Sequence, residues 1–401
     1  MKNSPKLKIL ILPSFWVYPY TSGGSTAQII ILKSLQEIHD ITLGLRSDNI
    51  EAHQISELQK EIPNVNLRLI KNESKGIGNL VNRVINKLIL IKYKNLPFQP
   101  FYQDIQLIWK TRKIIKNGSF DIIQIEMFKS AFLVKAIPKK TRSIFINHEP
   151  LIDRYNSQKC TEKQIKTVKK YENYWLSKFN YCFCFTKENK NQLLKHYSNL
   201  NIFVAPYAID SNPKNIFLPI QKSDNKKMVF MGGESHLPNK VALSNFIDNV
   251  FSPLLEKDNS FQLYITSLWS DQFRNKYLNP NIHFIGFIEN ITPLIKNSLI
   301  IAPVNIGSGL RTKVLFGLSK GIPVLSVPKS VEGLEVTHKK DILIAFEDNE
   351  MIKLIMDFFG STDLQKTLSQ YGFQYFNKNF SIDKLAKKRT CIYKSIMLQD
   401  N

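Results

Sequence analysis

Short apolar runs of strand length recur along this 401-residue chain, and each is followed by a turn and a helix-like segment. The runs are apolar at consecutive positions, which is typical of strands that are covered by helices on both faces of a parallel sheet. The first set comprises Leu7–Leu12, Ile41–Leu45, Val65–Ile70, Asp121–Ile125, Ser143–Asn147, Tyr181–Phe185 and Ile202–Ala205. Strands that alternate with helices in this way predict a doubly wound α/β sheet.

The same pattern begins again after a polar, proline-marked passage. Its strand-like runs are Lys227–Met231, Phe261–Thr266, His283–Ile285, Leu299–Pro303, Pro323–Val327 and Ile342–Phe346, with helix-like stretches such as Lys240–Glu256 and Glu350–Phe359 between them. We therefore predict two Rossmann-like domains, residues 1–205 and 227–380, joined by a linker at 206–226. Apolar residues at helical spacing in 381–401 predict a final helix.

Ligands of open α/β sheets bind beyond the carboxyl ends of the strands. Two such domains that face one another would form a central cleft, so we expect the chemistry to lie there.

Apolar runs and cysteines limit the classes of protein to which the chain can belong. No apolar run reaches the roughly 18 residues of a membrane-spanning helix, and Leu7–Leu12 is too short for a secretory signal, so we expect a cytoplasmic protein. The four cysteines lack the spacing of a zinc site. Cys182 and Cys184 alternate with phenylalanines and predict a buried strand.

Positive charge dominates the chain, with a formal net charge of +22 from 55 basic and 33 acidic residues. Charge of this size indicates an anionic partner. The alternative is that the charge only reflects a chain that is rich in Lys, Asn and Ile throughout. Nucleic acid would be one such partner, but the sequence shows neither a recognition helix nor an aromatic stacking sheet. Nucleic-acid binding is therefore the less favoured alternative.

The most basic stretch runs from Lys71 to Lys116, where ten cations face only Glu73 and Asp104. Within it Val84–Tyr93 mixes cations with apolar residues, and aromatic residues follow. This mixture suits a helix that lies on an anionic membrane. The residues that we expect on this membrane or acceptor face are Lys87, Lys92, Lys94 and Trp109. The alternative is a solvated basic face above core aromatics.

The loop between the runs Leu299–Pro303 and Pro323–Val327 carries the clearest chemical signal. Gly307 and Gly309 allow backbone N–H groups to approach a ligand, and Ser308 can cap a helix that ends at Gly321. Arg311 and Lys313 lie in the first turn of that helix, where cations oppose the helix dipole. A bound diphosphate would offset this cost, whereas the alternative is a surface helix with two solvated cations.

A second glycine loop precedes the first predicted helix, at Gly23 and Gly24 within Pro19–Thr26. Paired glycines again permit close approach of a ligand, although a Gly-Gly pair alone is a weak signal. No Asp-x-Asp motif and no His/Cys cluster with metal-ligand spacing occurs, so we expect no metal.

Six segments, in their order and spacing, resemble family 4 glycosyltransferases, which are retaining enzymes of the GT-B fold. They are Ser22–Gly24, Phe120–Glu126, Met228–Asn239, Asn281–Phe287, Asn305–Leu325 and Val331–Val336. The resemblance is to the branch with a Gly-x-Gly-x-Arg-x-Lys loop. It implies a two-domain α/β architecture in which the final helix crosses back to the first domain.

The resemblance also implies a nucleoside-diphosphate sugar bound mainly by the second domain, and a glycan or lipid-linked acceptor bound by the first. The implied reaction is sugar transfer with retention, often in polysaccharide or lipopolysaccharide assembly on the inner face of the membrane. No cofactor is implied. The implied catalytic residues are His148, Arg311 and Lys313, and those near the donor are Gly23, Gly24, Gly232, Gly233, Gly307, Ser308, Gly309, Glu332 and Gly333. A purely structural role for His148 stays open.

Two positions depart from the pattern of many family members. Ser308 and Phe316 stand where those members have two glutamates, and the branch in question usually keeps the second. A phenylalanine cannot accept hydrogen bonds from the ribose hydroxyls, and bonds of that kind to a charged group contribute roughly 1.5–3 kcal/mol each. The alternative interpretation is therefore a degenerate, non-catalytic member of the family.

Overall fold

The computed structural model describes residues 5–19, 23–48, 50–71, 77–156, 158, 160–206, 217–220, 226–306 and 312–399. The chain divides into two compact units. Unit 1 consists of residues 1–211 together with 382–401, and unit 2 consists of residues 212–381.

Unit 1 is built on a seven-stranded sheet in which every neighbouring pair is parallel. Its strands are β1 (Lys8–Leu12), β2 (Asp40–Arg46), β3 (Asn66–Ile70), β4 (Ile122–Glu126), β5 (Arg142–Ile146), β6 (Tyr181–Cys184) and β7 (Ile202–Val204). Their order in the sheet is β3-β2-β1-β4-β5-β6-β7, so the order reverses between β1 and β4.

The helices of unit 1 cover both faces of this sheet. They are α1 (Gly23–Leu35), α2 (Gln54–Glu61), α3 (Ile77–Lys92), α4 (Ile105–Gly118), α5 (Leu151–Asn156), α6 (Glu162–Leu176) and α7 (Lys187–His196), with a 3-10 segment at Phe128–Ala136. All residues of β4 and β6 are buried, as the continuous apolar runs predicted. Cys182 and Cys184 are buried in β6, which confirms that prediction.

Unit 2 repeats the design with a six-stranded parallel sheet in the order β10-β9-β8-β11-β12-β13. Its strands are β8 (Lys226–Phe230), β9 (Phe261–Thr266), β10 (Ile282–Gly286), β11 (Leu299–Ala302), β12 (Val324–Ser326) and β13 (Leu343–Ile344). Its helices are α8 (Leu237–Phe246), α9 (Ser252–Lys257), α10 (Asp271–Lys276), α11 (Thr292–Ile295), α12 (Thr312–Lys320), α13 (Asp348–Gly360) and α14 (Thr362–Phe380). The prediction of two doubly wound α/β sheets is confirmed.

One predicted helix of unit 2 has a different form. Instead of a regular helix over Lys240–Glu256, a π-helical segment at Ile247–Phe251 separates α8 from α9, which has a proline in its first turn. Pro253 has no N–H to donate to the preceding turn, which explains why the regular hydrogen-bond pattern is interrupted here. Part of the expected linker, residues 217–220, packs on unit 2, where Leu218 N donates to Lys320 O.

The final helix, α15 (Ile382–Leu398), packs against α1 of unit 1. Leu385, Tyr393 and Ile396 are buried side chains of α15, and full burial of an aliphatic side chain such as leucine or isoleucine contributes about 1.5–3 kcal/mol. Polar contacts fix its register: Arg142 donates to the carbonyls of Ile396 and Met397 at the end of α15. Residues far apart in sequence thus complete the first unit.

A buried histidine joins α15 to the start of β2. Nε2 of His39 lies 3.0 Å from Oγ1 of Thr390, and its ring packs edge-on against Tyr393. Burial, followed by the nearby ammonium of Lys394, lowers the pKa of His39 from 6.5 to about 4. The folded protein therefore holds this imidazole neutral where an unfolded chain would protonate it.

The lowered pKa makes unit 1 sensitive to acid. Protonation below pH 6.5 favours the unfolded state, so the free energy of unfolding should fall by about 1.4 kcal/mol per pH unit between pH 6.5 and 4. We expect His39→Gln, which keeps a donor toward Thr390, to lose less stability than the wild type when urea unfolding is measured at pH 7 and pH 5. The exposed His53→Gln is the control and should behave like the wild type. An equal pH dependence in His39→Gln and wild type would contradict the assignment.

Candidate functional site

The turn after β8 is the first element at the carboxyl edge of the sheet of unit 2. Gly232 has a φ of +137°, a backbone conformation that side chains rarely adopt. A Cβ at this position would lie 2.5 Å from Nδ2 of Asn239. That same amide group donates to Gly233 O at 3.3 Å, so Asn239 supports the two-glycine turn from α8.

Groups from the loop after β9 and from α8 support this turn. Nε1 of Trp269 donates to Gly232 O and to Thr266 O, both at 3.1 Å. The Glu234 carboxylate accepts from Lys240 Nζ at 2.8 Å and from Ser270 N at 2.7 Å. These hydrogen bonds, that of Lys240 first, lower the pKa of Glu234 to about 2. The loops after β8 and β9 therefore hold one fixed arrangement.

Lys313 lies in the first turn of α12, and its side chain reaches the turn after β8. Its Nζ donates to Oδ1 of Asn239 at 2.9 Å and lies 4.6 Å from the centroid of the Phe230 ring. The hydrogen bond and the cation–π contact fix the ammonium group at the end of β8. An anion at this edge would meet a cation that is already oriented.

The loop after β12 is tied to the residue that follows β11. The buried hydroxyl of Ser330 accepts from Val304 N at 3.2 Å and donates to Val304 O at 3.0 Å. Glu332 forms an ion pair with Lys329, and Gly333 has a φ of +85°. Both predicted residues thus belong to a braced turn at the carboxyl edge of the sheet.

The rest of the predicted phosphate loop is described only in part. Gly307, Ser308, Gly309 and Arg311 lie outside the described residues. Gly321 ends α12 with a φ of +68°, as predicted, and Phe316 is half-buried on that helix. A phenyl ring offers no hydrogen-bond acceptor, so the structure gives Phe316 no means of binding the ribose hydroxyls.

A cavity of about 180 Å³ lies beside these elements, between α8 and the residues that follow β11 and β12. Asn245, Asn305, Ile306 and Val327 contribute to its lining. Pockets that hold a whole small ligand measure about 300–1,000 Å³. The cavity is therefore large enough for only part of a nucleotide sugar.

In unit 1, His148 lies at the carboxyl edge of the sheet, just after β5. Its side chain is 18% exposed, and its Nε2 lies 3.4 Å from Oε2 of Glu126, the fully buried last residue of β4. The rings of Phe15 and Phe185 pack edge-on against the imidazole, with centroids 5.9 and 5.1 Å away. The ring is held on several sides yet partly open to solvent.

Other polar groups occupy the same edge. Oγ of Ser14, after β1, and Nδ2 of Asn147, after β5, are buried and have no hydrogen-bond partner among the described residues. Both side chains place polar atoms at the carboxyl edge of the sheet. Gly23 and Gly24 begin α1, and a Cβ added to Gly24 would meet no atom within 4 Å.

A cavity of about 420 Å³ lies at the opposite, amino-terminal edge of this sheet, where Lys8, Asp40 and Asn66 begin their strands. Ligands of doubly wound sheets bind at the carboxyl edge, where the strand order reverses. We therefore assign the candidate site of unit 1 to the edge that carries His148.

The predicted membrane face consists of α3 and neighbouring residues. Lys87, Lys92 and Lys94 are exposed, and Trp109 on α4 is 71% exposed. Lys92 also packs over the ring of Tyr174. By contrast, Phe98 and Phe101 are partly buried against the core of unit 1, so the aromatic residues of this stretch divide between the surface and the interior.

Within the described residues, no three His, Cys, Asp or Glu side chains lie close enough to hold a metal ion. Nor does any helix in the described part of the chain have the length and apolarity needed to cross a membrane. The expectation that no metal takes part stays a prediction.

Several residues that shape both edges were not singled out from the sequence. Asn239 and Trp269 lie in ordinary polar and aromatic contexts, so only the fold reveals that they support the turn after β8. Glu126 did give a signal, because a carboxylate that ends an apolar strand is rarely buried without a partner. That signal identifies the residue but does not name His148 as its partner.

No protein-family model and no curated protein matches the sequence. Solved structures do match along almost the whole chain. TarM from S. aureus superposes with a TM-score of 0.73 at 11% identity, covering 98% of this chain and 100% of that one.

HepE from Anabaena, solved with UDP-glucose, gives a TM-score of 0.70 at 12% identity, covering 97% of this chain and 100% of that one. A glycosyltransferase from Rickettsia africae gives 0.65 at 18% identity, covering 99% and 100%. The fold is GT-B. At these identities the likeness establishes the GT-B fold of this chain and does not establish its activity.

The turn after β8 generates a test of stability. We expect Gly232→Ala to lower the free energy of unfolding by about 1–3 kcal/mol, because alanine strains at this φ and its Cβ displaces Asn239. Gly24→Ala, where there is room for a methyl group, is the matched control and should change stability by less than about 1 kcal/mol. Urea unfolding of both variants provides the measurement. Similar values for the two variants would show that the geometry at Gly232 imposes no constraint.

Proposed function

We propose that this chain is a glycosyltransferase that moves a sugar from a nucleoside-diphosphate sugar to a hydroxyl acceptor, with retention at the anomeric carbon. The observation that carries the proposal is the ammonium group of Lys313, fixed by Asn239 and Phe230 beside the two-glycine turn after β8. A cation held there suits the diphosphate of a donor. The GT-B fold, shared with HepE solved with UDP-glucose, supports this choice of ligand.

Lys313 would act chiefly when the sugar leaves the donor. Negative charge then develops on the departing nucleoside diphosphate, and an ammonium group that is already oriented stabilises it without further reorganisation. The amide groups of Gly307–Gly309 and the guanidinium of Arg311 are proposed as additional donors to the same phosphates. In this proposal the phosphate charge is neutralised without a metal.

His148 would contact the sugar or the acceptor from unit 1. Its partly open imidazole can exchange hydrogen bonds with a sugar hydroxyl, and Ser14 and Asn147 at the same edge supply further polar atoms. The remaining donor contacts are assigned to Gly23, Gly24, Gly232, Gly233, Glu332 and Gly333. We further propose a glycan or lipid-linked acceptor in cell-surface polysaccharide or lipopolysaccharide assembly.

The role of Lys313 can be tested directly. We expect Lys313→Ala to lower kcat/KM by about 100-fold or more, because one preorganised contact to developing charge is worth this much. The donor is first chosen by calorimetric screening of UDP, GDP and their common sugars. Lys353→Ala, which removes an exposed cation from α13, is the control and should keep full activity. A decrease below threefold in Lys313→Ala would remove this residue from the mechanism.

A non-catalytic, nucleotide-sugar-binding protein is the second candidate, and the half-buried Phe316 favours it. The calorimetric screen separates the two candidates. Binding that is lost in Arg311→Ala, with no turnover of any donor, would indicate the binding protein. Binding accompanied by release of the nucleoside diphosphate would support the transferase.

We also propose that α3 docks unit 1 on an anionic membrane. Unlike a normal surface helix, α3 exposes an apolar stripe: Leu80, Val84, Leu88 and Ile91 are all at least half exposed. Among its described apolar side chains, only Ile89 is packed against the core of unit 1. Its inner side carries Asn82 and other polar residues; the Asn82 amide donates to Asp104 Oδ1 at 3.1 Å. An apolar stripe of this length needs a cover.

Basic residues indicate what that cover is. No acidic residue occurs between Glu73 and Asp104. Arg83 and Lys87 lie within the length of the apolar stripe, and Lys92 and Lys94 come directly after it. A membrane that contains anionic lipid matches both features, and each cation near its surface contributes about 1 kcal/mol. The protein would then work as a peripheral protein on the inner face of a membrane.

Flotation with liposomes tests this docking. We expect the wild type to float with anionic vesicles at physiological salt and to stay behind with neutral ones. The double variant Leu80→Gln/Leu88→Gln should bind at least about tenfold more weakly, because burial of each leucine contributes roughly 1.5–3 kcal/mol. Leu278→Gln, at an exposed leucine of unit 2, is the matched control. Salt-sensitive binding to arbitrary DNA without binding to vesicles would instead favour the nucleic-acid alternative.

A further inference from the structure

A continuous row of buried polar side chains crosses unit 1 from the final helix to His148. Its members are Tyr393 on α15, Gln124 and Glu126 on β4, and His148 after β5. Three of them, Tyr393, Gln124 and Glu126, are fully buried. Residues 393 and 148 are far apart in sequence, so this arrangement exists only in the folded unit.

The hydrogen bonds in this row converge on the carboxylate of Glu126. The Tyr393 hydroxyl donates to Oε1 of Gln124 at 2.8 Å, and Nε2 of Gln124 donates to Oε1 of Glu126 at 3.0 Å. The second carboxylate oxygen, Oε2, faces Nε2 of His148 at 3.4 Å. When Oε2 of Glu126 accepts in this contact, His148 carries a proton on Nε2, which completes the row.

The first member of the row is firmly held. The Tyr393 ring stacks on Phe183 of β6 and meets His39 edge-on. Burial raises the pKa of the Tyr393 hydroxyl to about 12, so it remains a hydrogen-bond donor at physiological pH. Arg389, one turn earlier on α15, donates to Ala205 O at 3.3 Å. The final helix therefore fixes the position of the donor that orients Gln124.

We propose that Glu126 and Tyr393 are positioning residues for His148: Glu126 fixes the tautomer and orientation of the imidazole, and α15 holds Glu126 through Tyr393 and Gln124. This proposal rests on the proposed function, in which His148 contacts the substrates. With its proton on Nε2, a neutral His148 has Nδ1 as its acceptor nitrogen. The final helix would thus contribute to catalysis without touching a substrate.

The test uses the full-length protein and two readouts. Glu126→Gln keeps the size of the side chain but replaces one acceptor oxygen with a donor. We expect its kcat to fall about tenfold to a hundredfold, a loss of the size seen when the partner that orients a metal-bound histidine is removed. The KM for the donor should stay within about threefold of the wild type. Tyr393→Phe, which removes the hydroxyl that contacts both Gln124 and Arg389 but leaves Glu126 in place, should show a smaller decrease in kcat.

The second readout is the ¹⁵N NMR spectrum of protein labelled at histidine, with His148 assigned from His148→Asn. We expect the signature of the Nε2–H tautomer in the wild type and a changed tautomer signature in Glu126→Gln. A purely structural role for Glu126 would change stability but leave these resonances in place. The NMR readout needs no enzyme activity.

Unit 1 supplies a matched control in Glu172, a second fully buried glutamate that accepts from Tyr197. Glu172→Gln and Tyr197→Phe should leave kcat and the His148 resonances unchanged. If the wild type is active and Glu126→Gln changes neither kcat nor the His148 resonances, the positioning role is wrong. An inactive wild type would count against the proposed function, and the tautomer readout would then still decide the contact between Glu126 and His148. If Glu126→Gln does not fold, Tyr393→Phe decides by the same two readouts.

Discussion

Parallel strand pairing is the constraint on which both units of this protein depend. Every neighbouring pair in the two sheets is parallel, so all carboxyl ends of the strands in a sheet lie at one edge. Each parallel pair needs a crossover connection, and the crossovers place helices on both faces. Residues that follow separate strands, such as Gly232 and Val304, are thereby gathered at one edge although they are distant in sequence. The candidate sites follow from this geometry.

Buried carboxylates in unit 1 show how the same group serves different purposes. Glu172 accepts from two backbone N–H groups at the start of α5, those of Leu151 and Ile152, and from Tyr197. Burial nevertheless raises its pKa to about 7. Glu126 is buried to the same degree, but its partners lead from the final helix to a partly open histidine. The first carboxylate ties helices together, whereas the second reaches the edge where a substrate can bind.

The surface of α3 departs from the usual rule of burial. A surface helix ordinarily buries its apolar stripe, because this removes apolar area from water. Here the amides of Asn82 and Asn86 face inward and are paired with Asp104 and Gln103, while leucines face outward. The cost of an exposed apolar stripe is offset only when another surface covers it. That requirement links the helix to the membrane proposal more strongly than net charge does.

The sequence by itself determined the parts that depend on local pattern. Continuous apolar runs such as Ile122–Glu126 predict buried strands, and Gly321 ends α12 because only glycine adopts its φ readily. It also pointed to Lys313, because cations at a helix start favour a bound anion, and to His148 through the resemblance to family 4 glycosyltransferases. The tertiary structure alone decided which partners these residues meet: Asn239 for Lys313, and Glu126 for His148. Such pairs join positions that are distant in the chain. Their contacts form only when the strands have assembled into sheets and α15 has packed on the rest of unit 1. Local patterns determine most strands and helices, but the choice of partner depends on packing over long sequence separations, which no local pattern encodes.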